Sequence, residues 1–319
     1  MESRRLGDSG LRVSRIGLGT MTWGHDTGEE AAAELLSAFA DAGGSLLDTA
    51  DVYAGGESER MIGALLDRAV PRADLVISTK AALTPDGPGD RDASGRHLLA
   101  ALDGSLRRLG TDHVDIWHVH AYDPDTPLEE TLAALDTAVA TGRARYAGVA
   151  AYASWQLARA ATWQRAWPGR TPITSTQAEY SLLARAPEDG LLAAASDVGT
   201  GFLAWSPLGR GVLTGKYRTG IPVGSRGADE HLSDFVEPYF TERARAIVES
   251  VATAADGLGV SPLSVALTWV RDRPGVTAPI VGARTTKQLQ TVLESEPLTL
   301  PREISAALDD VSDHPPEDL

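Results

Sequence analysis

Residues Leu46-Leu-Asp-Thr-Ala-Asp-Val-Tyr53 show how the rest of the chain is organised. An apolar pair runs directly into the carboxylate of Asp48, and a short segment then leads to Tyr53. This pattern predicts the carboxyl end of a buried strand followed by a loop. In an α/β barrel, the carboxyl ends of the strands form the rim that carries the chemistry. We therefore expect Asp48 and Tyr53 to lie at such a rim.

The flanking sequence repeats one arrangement, in which a short apolar run is followed by an amphipathic stretch. The apolar runs predict strands at residues 15–20, 45–49, 75–79, 114–119, 145–149, 173–177, 201–205 and 278–282. The amphipathic stretches predict helices at residues 29–42, 57–67, 94–109, 128–140, 154–166, 187–196, 240–256, 262–272 and 285–294. Regular alternation of this kind predicts a parallel sheet. Eight strand–helix units, with one extra helix before the last strand, predict a closed (β/α)8 TIM barrel with extra helices near the C-terminus.

Additional elements are predicted at both ends of the barrel sequence. Residues 4–14 predict a β-hairpin, and residues 295–319 predict a short helix and a Pro-rich acidic tail. An open, doubly wound sheet is the alternative fold, but Gly17-Leu-Gly19 lacks the third glycine of a dinucleotide-binding fingerprint. No stretch has the composition of a linker, so we predict a single α/β domain over residues 1–319.

Composition narrows the class of protein. The 319 residues are 43% hydrophobic and 23% charged, which is typical of soluble globular proteins. A net charge of −15 repels nucleic acid and anionic membranes, so neither is expected as a partner. The absence of cysteine excludes disulfides, thiolate chemistry and Cys-ligated zinc. No apolar run reaches the ~20 residues of a membrane helix and no apolar signal region follows Met1, so we expect a cytoplasmic protein.

Four side chains suited to proton transfer follow consecutive predicted strands. Asp48, Lys80 and His120 close the second, third and fourth strands, and Tyr53 follows the first of these. A free tyrosine has a pKa of about 10, and a nearby ammonium group is expected to lower it. A carboxylate would hold that ammonium, and a histidine would orient a carbonyl oxygen. Together these groups predict a general acid beside a carbonyl site.

A basic loop supplies the second half of the predicted site. No acidic residue occurs from Ser206 to Ala228, whereas Arg210, Lys216, Arg218 and Arg226 do. Its glycines, Gly211 among them, favour close approach of the backbone to a ligand. The last strand opens into the run Gly282-Ala-Arg-Thr-Thr-Lys-Gln288, which places cations at a helix N-terminus. Both features predict an anion site, which barrels commonly build after strands seven and eight.

Several motifs occur together in a specific order. They are Asp48-Thr-Ala-Asp-Val-Tyr53, Ser78-Thr-Lys80, Asp115-Ile-Trp-His-Val-His120, Ser175-Thr-Gln177, Trp205-Ser-Pro-Leu208, Gly215-Lys-Tyr217 and Gly282-Ala-Arg284. In this order they resemble the aldo-keto reductase family over roughly residues 4–294. The resemblance looks closest to the branch of bacterial and potassium-channel beta-subunit-like proteins. It implies a barrel that binds NADPH without a Rossmann fold and reduces an aldehyde or ketone, a small-molecule substrate, by hydride transfer.

The resemblance also implies a role for each matching residue. Asp48, Tyr53, Lys80 and His120 match the catalytic tetrad, with Tyr53 as the proton donor. Gln177 would hold the nicotinamide carboxamide, and Trp205 would stack on the ring. The predicted phosphate-side contacts are Ser206, Leu208, Gly211, Lys216 and Arg226 along the pyrophosphate, and Gly282, Arg284 and Gln288 toward the adenosine 2′-phosphate.

The sequence departs from the family pattern after the fifth strand. The family usually has Gly-Val-Ser-Asn, whereas this chain has Gly148-Val-Ala-Ala151. Two side chains that would bind the carboxamide are therefore missing. Thr291 and Val292 stand where related sequences often carry Glu-Asn against the adenine. We expect weaker cofactor binding or a different hold on NADPH.

Two other functions are compatible with parts of the sequence. His118-Val-His120 has the spacing of two metal ligands on a barrel strand, as in a metal-dependent hydrolase, although no further ligands are predicted and no metal is expected. The change at Ala150 and Ala151 is compatible with a cofactor-binding regulatory subunit that turns over little. Residues 81–93, 121–127 and the tail are predicted to shape the substrate site.

Overall fold

A computed structural model describes residues 1–84, 90–229 and 232–313. In this part of the chain, eight parallel strands close into a barrel in the order β10-β3-β4-β5-β6-β7-β8-β9. The barrel strands are β3 (Gly17–Gly19), β4 (Leu46–Asp48), β5 (Val76–Ala81), β6 (Val114–Val119), β7 (Ala144–Ala150), β8 (Ile173–Glu179), β9 (Gly201–Trp205) and β10 (Val276–Gly282). The prediction of a (β/α)8 barrel is confirmed.

The predicted N-terminal hairpin is also present. β1 (Ser3–Arg5) pairs antiparallel with β2 (Arg12–Ser14). Leu6 and Val13 from the hairpin pack against side chains inside the barrel, including Leu46 at the start of β4. The hairpin therefore closes the amino-terminal end of the barrel and leaves the opposite rim to the functional groups.

The helices surround the barrel and bury their apolar faces against its outer wall. In the described ranges they are α1 (Glu29–Asp41), α2 (Glu57–Leu65), α3 (Gly95–Leu109), α4 (Leu128–Ala140), α5 (Ser154–Arg165), α6 (Leu191–Asp197), α7 (Ser233–Val236), α8 (Glu242–Leu258), α9 (Pro262–Arg271), α10 (Thr286–Glu294) and α11 (Arg302–Ser312). Polar side chains fix where several helices begin. The hydroxyls of Ser94, Thr241, Ser261 and Thr285 accept hydrogen bonds from backbone N–H groups in the first turns of α3, α8, α9 and α10, respectively.

The basic loop is more structured than predicted. Helical turns occupy Gly209–Thr214 and Arg226–Ala228, and the short helix α7 follows. α8 begins at Glu242 rather than at residue 240, because Thr241 caps it. Parts of the predicted substrate segment 81–93 and of the acidic tail, residues 85–89 and 314–319, lie outside the described residues.

Among the described residues, no single helix is both long and apolar enough to cross a membrane. The pair α8 and α9 passes the same test of length and composition when taken together, but the two helices are bent by 101° at their break.

Candidate active site

The centre of the rim is a buried ion pair between Asp48 and Lys80. β4 and β5 are neighbours, so their carboxyl ends bring the two side chains together. Lys80 Nζ donates to Asp48 Oδ2 at 2.6 Å and to the carbonyl oxygen of Thr49 at 2.8 Å. Ser78 and Gln177 donate to Asp48 Oδ1 at 2.9 and 3.0 Å. Burial disfavours the charged lysine, but the carboxylate outweighs burial and raises the pKa of Lys80, which stays protonated.

Tyr53 lies next to this ion pair. The Lys80 ammonium nitrogen is 5.4 Å from the centre of the Tyr53 ring. The segment after the tyrosine turns sharply, because Ala54, Gly55 and Gly56 all have positive φ values, of 50°, 63° and 90°. This turn leads into α2, and Tyr53 lines the same cavity as Asp48 and His120.

Lys80 lowers the pKa of Tyr53 as expected, but its effect is not the dominant one in the resting protein. Burial raises the pKa of Tyr53, and the lowering effect of Lys80 does not overcome it. The reason is that Asp48 neutralises much of the ammonium field and itself disfavours a phenolate. Tyr53 is therefore a protonated phenol at neutral pH, which is the form that a proton donor requires.

His120 follows β6 directly and faces Tyr53 edge-on, with ring centroids 6.1 Å apart and an interplanar angle of 77°. Burial and then the charge of Lys80 lower the pKa of His120 to about 3, so the ring is neutral. Its Nδ1 is buried and has no hydrogen-bond partner among the described residues. A neutral imidazole with a free ring nitrogen can exchange a hydrogen bond with a bound oxygen.

His118 does not join His120 in a metal site. Its two ring nitrogens lie 3.2 Å from Ser78 Oγ and 2.8 Å from Ser175 Oγ, so both already have partners. Gly148 makes room for this ring, since a Cβ at that position would overlap it. Within the described ranges no group of three or more His, Cys, Asp or Glu side chains could hold a metal ion.

A cavity of about 820 Å³ extends from the tetrad along the rim. Its volume is in the range of small-molecule and cofactor sites. All the cofactor-binding residues predicted from the sequence line it: Gln177, Trp205, Ser206, Leu208, Gly211, Lys216, Arg226, Gly282, Arg284 and Gln288. Asp48, Tyr53 and His120 line it as well, whereas Lys80 is fully buried behind them.

Two cations at the far end of this cavity crowd each other. Burial lowers the pKa of Lys216, and the charges of Arg226 and Arg284 lower it further. Burial and Arg284 likewise lower the pKa of Arg226. Neither Lys216 nor Arg226 forms an ion pair with a carboxylate among the residues the structure describes. Such a group of half-buried cations is stabilised by an anion placed between them.

The other two cations of the basic loop have different partners. Arg210 makes a two-pronged ion pair with Glu179, at 2.8 and 2.6 Å, and stacks 4.1 Å from the centre of the Phe235 ring. Arg218 pairs with Glu249 on the surface. The net positive charge of the loop is therefore smaller than its sequence suggests, and Arg210 anchors the loop to the end of β8.

Arg284 connects three segments at the mouth of the cavity. Its guanidinium donates to the carbonyl oxygen of Gly224 at 2.6 Å and lies 3.8 Å from Asp26. Its backbone N–H donates to Gln288 Oε1 at 2.9 Å. Arg284 and Gln288 thus lie together at the N-terminus of α10, as predicted.

The alanine pair that departs from the family pattern lies at the opposite end of the cavity. Ala150 is the last residue of β7 and pairs in register with Gln177 on β8. The backbone N–H of Ala151 donates to the carbonyl oxygen of Gln177 at 2.9 Å. Ala151 has a φ of 52°, a left-handed conformation that asparagine adopts more readily than alanine. Both alanines line the cavity and offer it only methyl groups.

Sequence reasoning missed some roles at this site. It assigned Gln177 to the cofactor and quoted Ser78 only as part of a motif, whereas both side chains hold the carboxylate of Asp48. Leu83 and Arg91, from the predicted substrate segment 81–93, line the cavity, and so does Phe235, which no sequence pattern indicated. The alternation along β5 carried a signal for Ser78, which shares a barrel-facing side with Lys80 two residues later. Arg91 lies outside the helices and barrel strands, and Phe235 lies in the four-residue helix α7, so no periodic pattern marks either residue.

The fold agrees with comparisons to known proteins. The model of the Aldo/keto reductase family matches residues 15–313, and the chain belongs to this family. Members of the family generally use NAD(P)H. Membership of this family, together with the oxidoreductase relative described below, supports the assignment of this protein as an oxidoreductase.

Individual relatives cover nearly the whole chain. "Uncharacterized oxidoreductase YrpG" of Bacillus subtilis (strain 168) is 36% identical over 98% of this chain and 96% of its own length. A "Probable voltage-gated potassium channel subunit beta" of Oryza sativa subsp. japonica is 37% identical, with 92% of this chain and 89% of its own length covered. A protein of the same description from Arabidopsis thaliana is 34% identical, with coverage of 91% and 89%.

Proposed function

We propose that the protein is an NADPH-dependent reductase that converts an aldehyde or ketone to an alcohol, with Tyr53 as the proton donor. The observation that carries the proposal is that two groups of side chains line the same cavity. Tyr53, His120 and Asp48 line one end of it, and Lys216, Arg226 and Arg284 line the other. A proton donor and a group of cations at opposite ends of one cavity fit a substrate carbonyl beside a cofactor that carries phosphates.

The residues fit NADPH in two respects. The crowded cations Lys216 and Arg226 favour the charge of phosphates. Trp205, at the end of β9, offers an aromatic face beside Gln177 for a nicotinamide ring and its carboxamide. When bound, the cofactor would supply the hydride that reduces the carbonyl carbon.

The protein side chains have distinct tasks in the proposed reaction. The Tyr53 hydroxyl donates a proton to the carbonyl oxygen as that oxygen gains charge. The neutral ring of His120 exchanges a hydrogen bond with the same oxygen and orients it. Lys80, kept charged by Asp48, stabilises the phenolate that remains on Tyr53.

A cofactor titration followed by a turnover assay tests this proposal. Binding of NADPH is measured by the change in its fluorescence on addition of the protein. Oxidation of NADPH is then followed by the loss of its absorbance in the presence of each member of a panel of aliphatic, aromatic and anionic carbonyl compounds. Tight binding together with turnover supports the reductase, and failure to bind NADPH contradicts it.

A cofactor-binding regulatory subunit with little turnover is the second candidate. The two plant relatives described as probable potassium channel beta subunits favour it, as does the loss of polar side chains at Ala150 and Ala151. This candidate predicts that NADPH binds but that no carbonyl in the panel is reduced faster than in the absence of protein.

The outer part of the basic loop is predicted to close over the cofactor. Val212 and Leu213 are buried and Arg210 is anchored, whereas residues 218–224 are exposed. Few apolar contacts hold this exposed part, so it opens most easily in the free protein. We expect trypsin to cut after Arg218 in the free protein and saturating NADPH to slow this cut at least ~10-fold. Cleavage at the exposed Arg68, which follows α2 and does not line the cavity, serves as the control and is expected to be insensitive to NADPH.

Cleavage after Arg218 at the same rate with and without NADPH would contradict closure of the loop. The buried first half of the loop gives a second check. No cut is expected at Arg210 under either condition, because Glu179 and Phe235 hold its side chain.

Restoring the polar pair of the family pattern is expected to strengthen the nicotinamide end of the site. The double change Ala150→Ser with Ala151→Asn would add side chains able to bind the carboxamide, next to Gln177. Two neutral hydrogen bonds contribute about 1–3 kcal/mol, or roughly 5–150-fold in affinity or kcat. The φ of 52° at residue 151 suits asparagine.

The single variants serve as controls, and the measurements are Kd for NADPH and kcat. Each single change is expected to give part of the gain. If the double variant keeps its thermal stability but shows neither tighter binding nor faster turnover, the missing pair does not limit this protein and the interpretation is wrong.

A further inference from the structure

A buried histidine inside the barrel has no task in the mechanism above. His118 lies on β6, two residues before His120, and its side chain is fully buried. The interior of such a barrel is usually filled by branched apolar side chains. A polar ring in that place is costly unless its nitrogens have partners, so its presence calls for a reason. Both nitrogens do have hydroxyl partners, and one of these hydroxyls leads to the catalytic ion pair.

The register of the strands explains how the ring reaches these partners. His118 on β6, Gly148 on β7 and Ser175 on β8 form one row of paired residues. Gly148 has no side chain, and a Cβ at that position would lie 2.4 Å from the His118 ring. The ring therefore covers Gly148, and its Nε2 lies 2.8 Å from Ser175 Oγ. Its other nitrogen, Nδ1, lies 3.2 Å from Ser78 Oγ on β5.

The donor of each hydrogen bond follows from the chemistry of the groups. Asp48 is a carboxylate and only accepts, so the single proton of the Ser78 hydroxyl goes to Asp48 Oδ1, 2.9 Å away. Ser78 Oγ then offers only lone pairs to His118, so Nδ1 of the ring carries the proton and donates. Burial, followed by the charge of Lys80, lowers the pKa of His118 to about 3, so the ring is neutral and its Nε2 accepts from Ser175. All three hydrogen bonds therefore run toward Asp48.

A chain of hydrogen bonds with one direction holds the carboxylate in one orientation. The proton from His118 occupies a lone pair of Ser78 Oγ and so keeps the Ser78 proton on Asp48. The second oxygen of Asp48 accepts from Lys80 at 2.6 Å. The Lys80 ammonium nitrogen in turn lies 5.4 Å from the centre of the Tyr53 ring. Each step from His118 to the tyrosine is thus a contact between neighbouring side chains.

We propose that His118 is a positioning residue: through Ser78 it fixes the orientation of the Asp48 carboxylate, and thereby the place of the Lys80 ammonium beside Tyr53. This inference rests on the proposed function, in which Lys80 stabilises the phenolate that remains on Tyr53. His118 does not line the cavity, so its effect on the reaction passes through these contacts. Its loss therefore lowers kcat and leaves the affinity for the cofactor unchanged.

Two variants of similar shape test the proposal. His118→Leu removes both ring nitrogens and is expected to lower kcat about 10-fold, with Kd for NADPH and KM for the carbonyl little changed. His118→Asn keeps an N–H group close to the position of Nδ1 and is expected to recover most of the lost activity. Thr176→Val is the control, because it removes a buried hydroxyl on β8 that has no hydrogen-bond partner among the described residues, and it is expected to keep the wild-type kcat. Equal losses in His118→Asn and His118→Leu, or a wild-type kcat in His118→Leu, would overturn the proposal.

A double-mutant cycle shows whether the effect passes through Ser78. Ser78→Ala is expected to lower kcat by a similar factor, because it removes the hydroxyl that donates to Asp48. Adding His118→Leu to Ser78→Ala is expected to lower kcat no further, because the chain is already broken. If the two losses multiply instead, His118 acts independently of Ser78 and the proposal is wrong.

A measurement on the wild type, without turnover, separates this inference from the proposed function. In protein labelled with ¹⁵N at histidine, a ring nitrogen that carries a proton gives a signal distinct from one that does not, and the signals missing in His118→Asn identify His118. We expect a neutral ring with its proton on Nδ1 at neutral pH. If this is seen but no carbonyl is reduced, the reductase proposal fails and the direction of the chain stands. If carbonyls are reduced but the proton is on Nε2, the positioning role fails and the reductase stands.

Discussion

Replacing Tyr53 by phenylalanine is expected to lower kcat by ~10²–10⁴-fold while leaving Kd for NADPH little changed. A general acid contributes a rate factor of this size. The change removes only the hydroxyl, and the ring that packs 6.1 Å from His120 is kept. No other phenol lines the cavity within the described residues, so none can replace Tyr53. The measurements are steady-state NADPH oxidation with the best carbonyl substrate and a fluorescence titration of the cofactor.

Tyr152→Phe is the matched control for this variant. Tyr152 is buried just after β7, and burial raises the pKa of its hydroxyl as it does for Tyr53, but Tyr152 does not line the cavity. Its loss is expected to leave kcat within about twofold of the wild type. Turnover retained in Tyr53→Phe would remove Tyr53 from the role of proton donor.

The rim of the barrel could be predicted from the sequence because it follows from local pattern and topology. Asp48, Lys80 and His120 each follow or end an apolar run, and adjacent parallel strands place their carboxyl ends side by side. The Asp48–Lys80 ion pair is a direct consequence. The short loop from Asp48 to Tyr53 then leaves the tyrosine little freedom to lie elsewhere.

The electrostatic state of the site could not be predicted in the same way. Arg210 and Arg218 are neutralised by Glu179 and Glu249, each 31 residues away along the chain, so the composition of the loop alone overstates its charge. The pKa of Tyr53 depends on how deeply the whole barrel buries it, and burial outweighs the lowering effect of Lys80.

Replacing Arg284 by alanine is expected to weaken NADPH binding by roughly 10–150-fold and to leave NADH binding little changed. A hydrogen bond to a charged group contributes about 1.5–3 kcal/mol, and NADH lacks the 2′-phosphate that Arg284 is proposed to meet. Among the residues that the structure describes, the Arg284 guanidinium has as partners only the carbonyl oxygen of Gly224 and, at 3.8 Å, a carboxylate oxygen of Asp26. It is therefore available to an incoming phosphate without loss of a close ion pair.

Kd values for both cofactors, measured for the wild type, Arg284→Ala and two further variants, separate this role from a general effect of charge. Lys287→Ala removes the neighbouring cation of the same cavity and is expected to lower the preference for NADPH by less, because an ammonium forms no two-pronged contact with phosphate. Arg60→Ala removes an exposed cation on α2, outside the cavity, and is expected to change neither affinity.

The dependence on salt is a further test. Because salt screens an ionic contact, the preference of the wild type for NADPH is expected to shrink as ionic strength rises, and the preference of Arg284→Ala is expected to change less. Equal wild-type affinities for NADPH and NADH, or an unchanged preference in Arg284→Ala, would show that this end of the cavity does not select the 2′-phosphate.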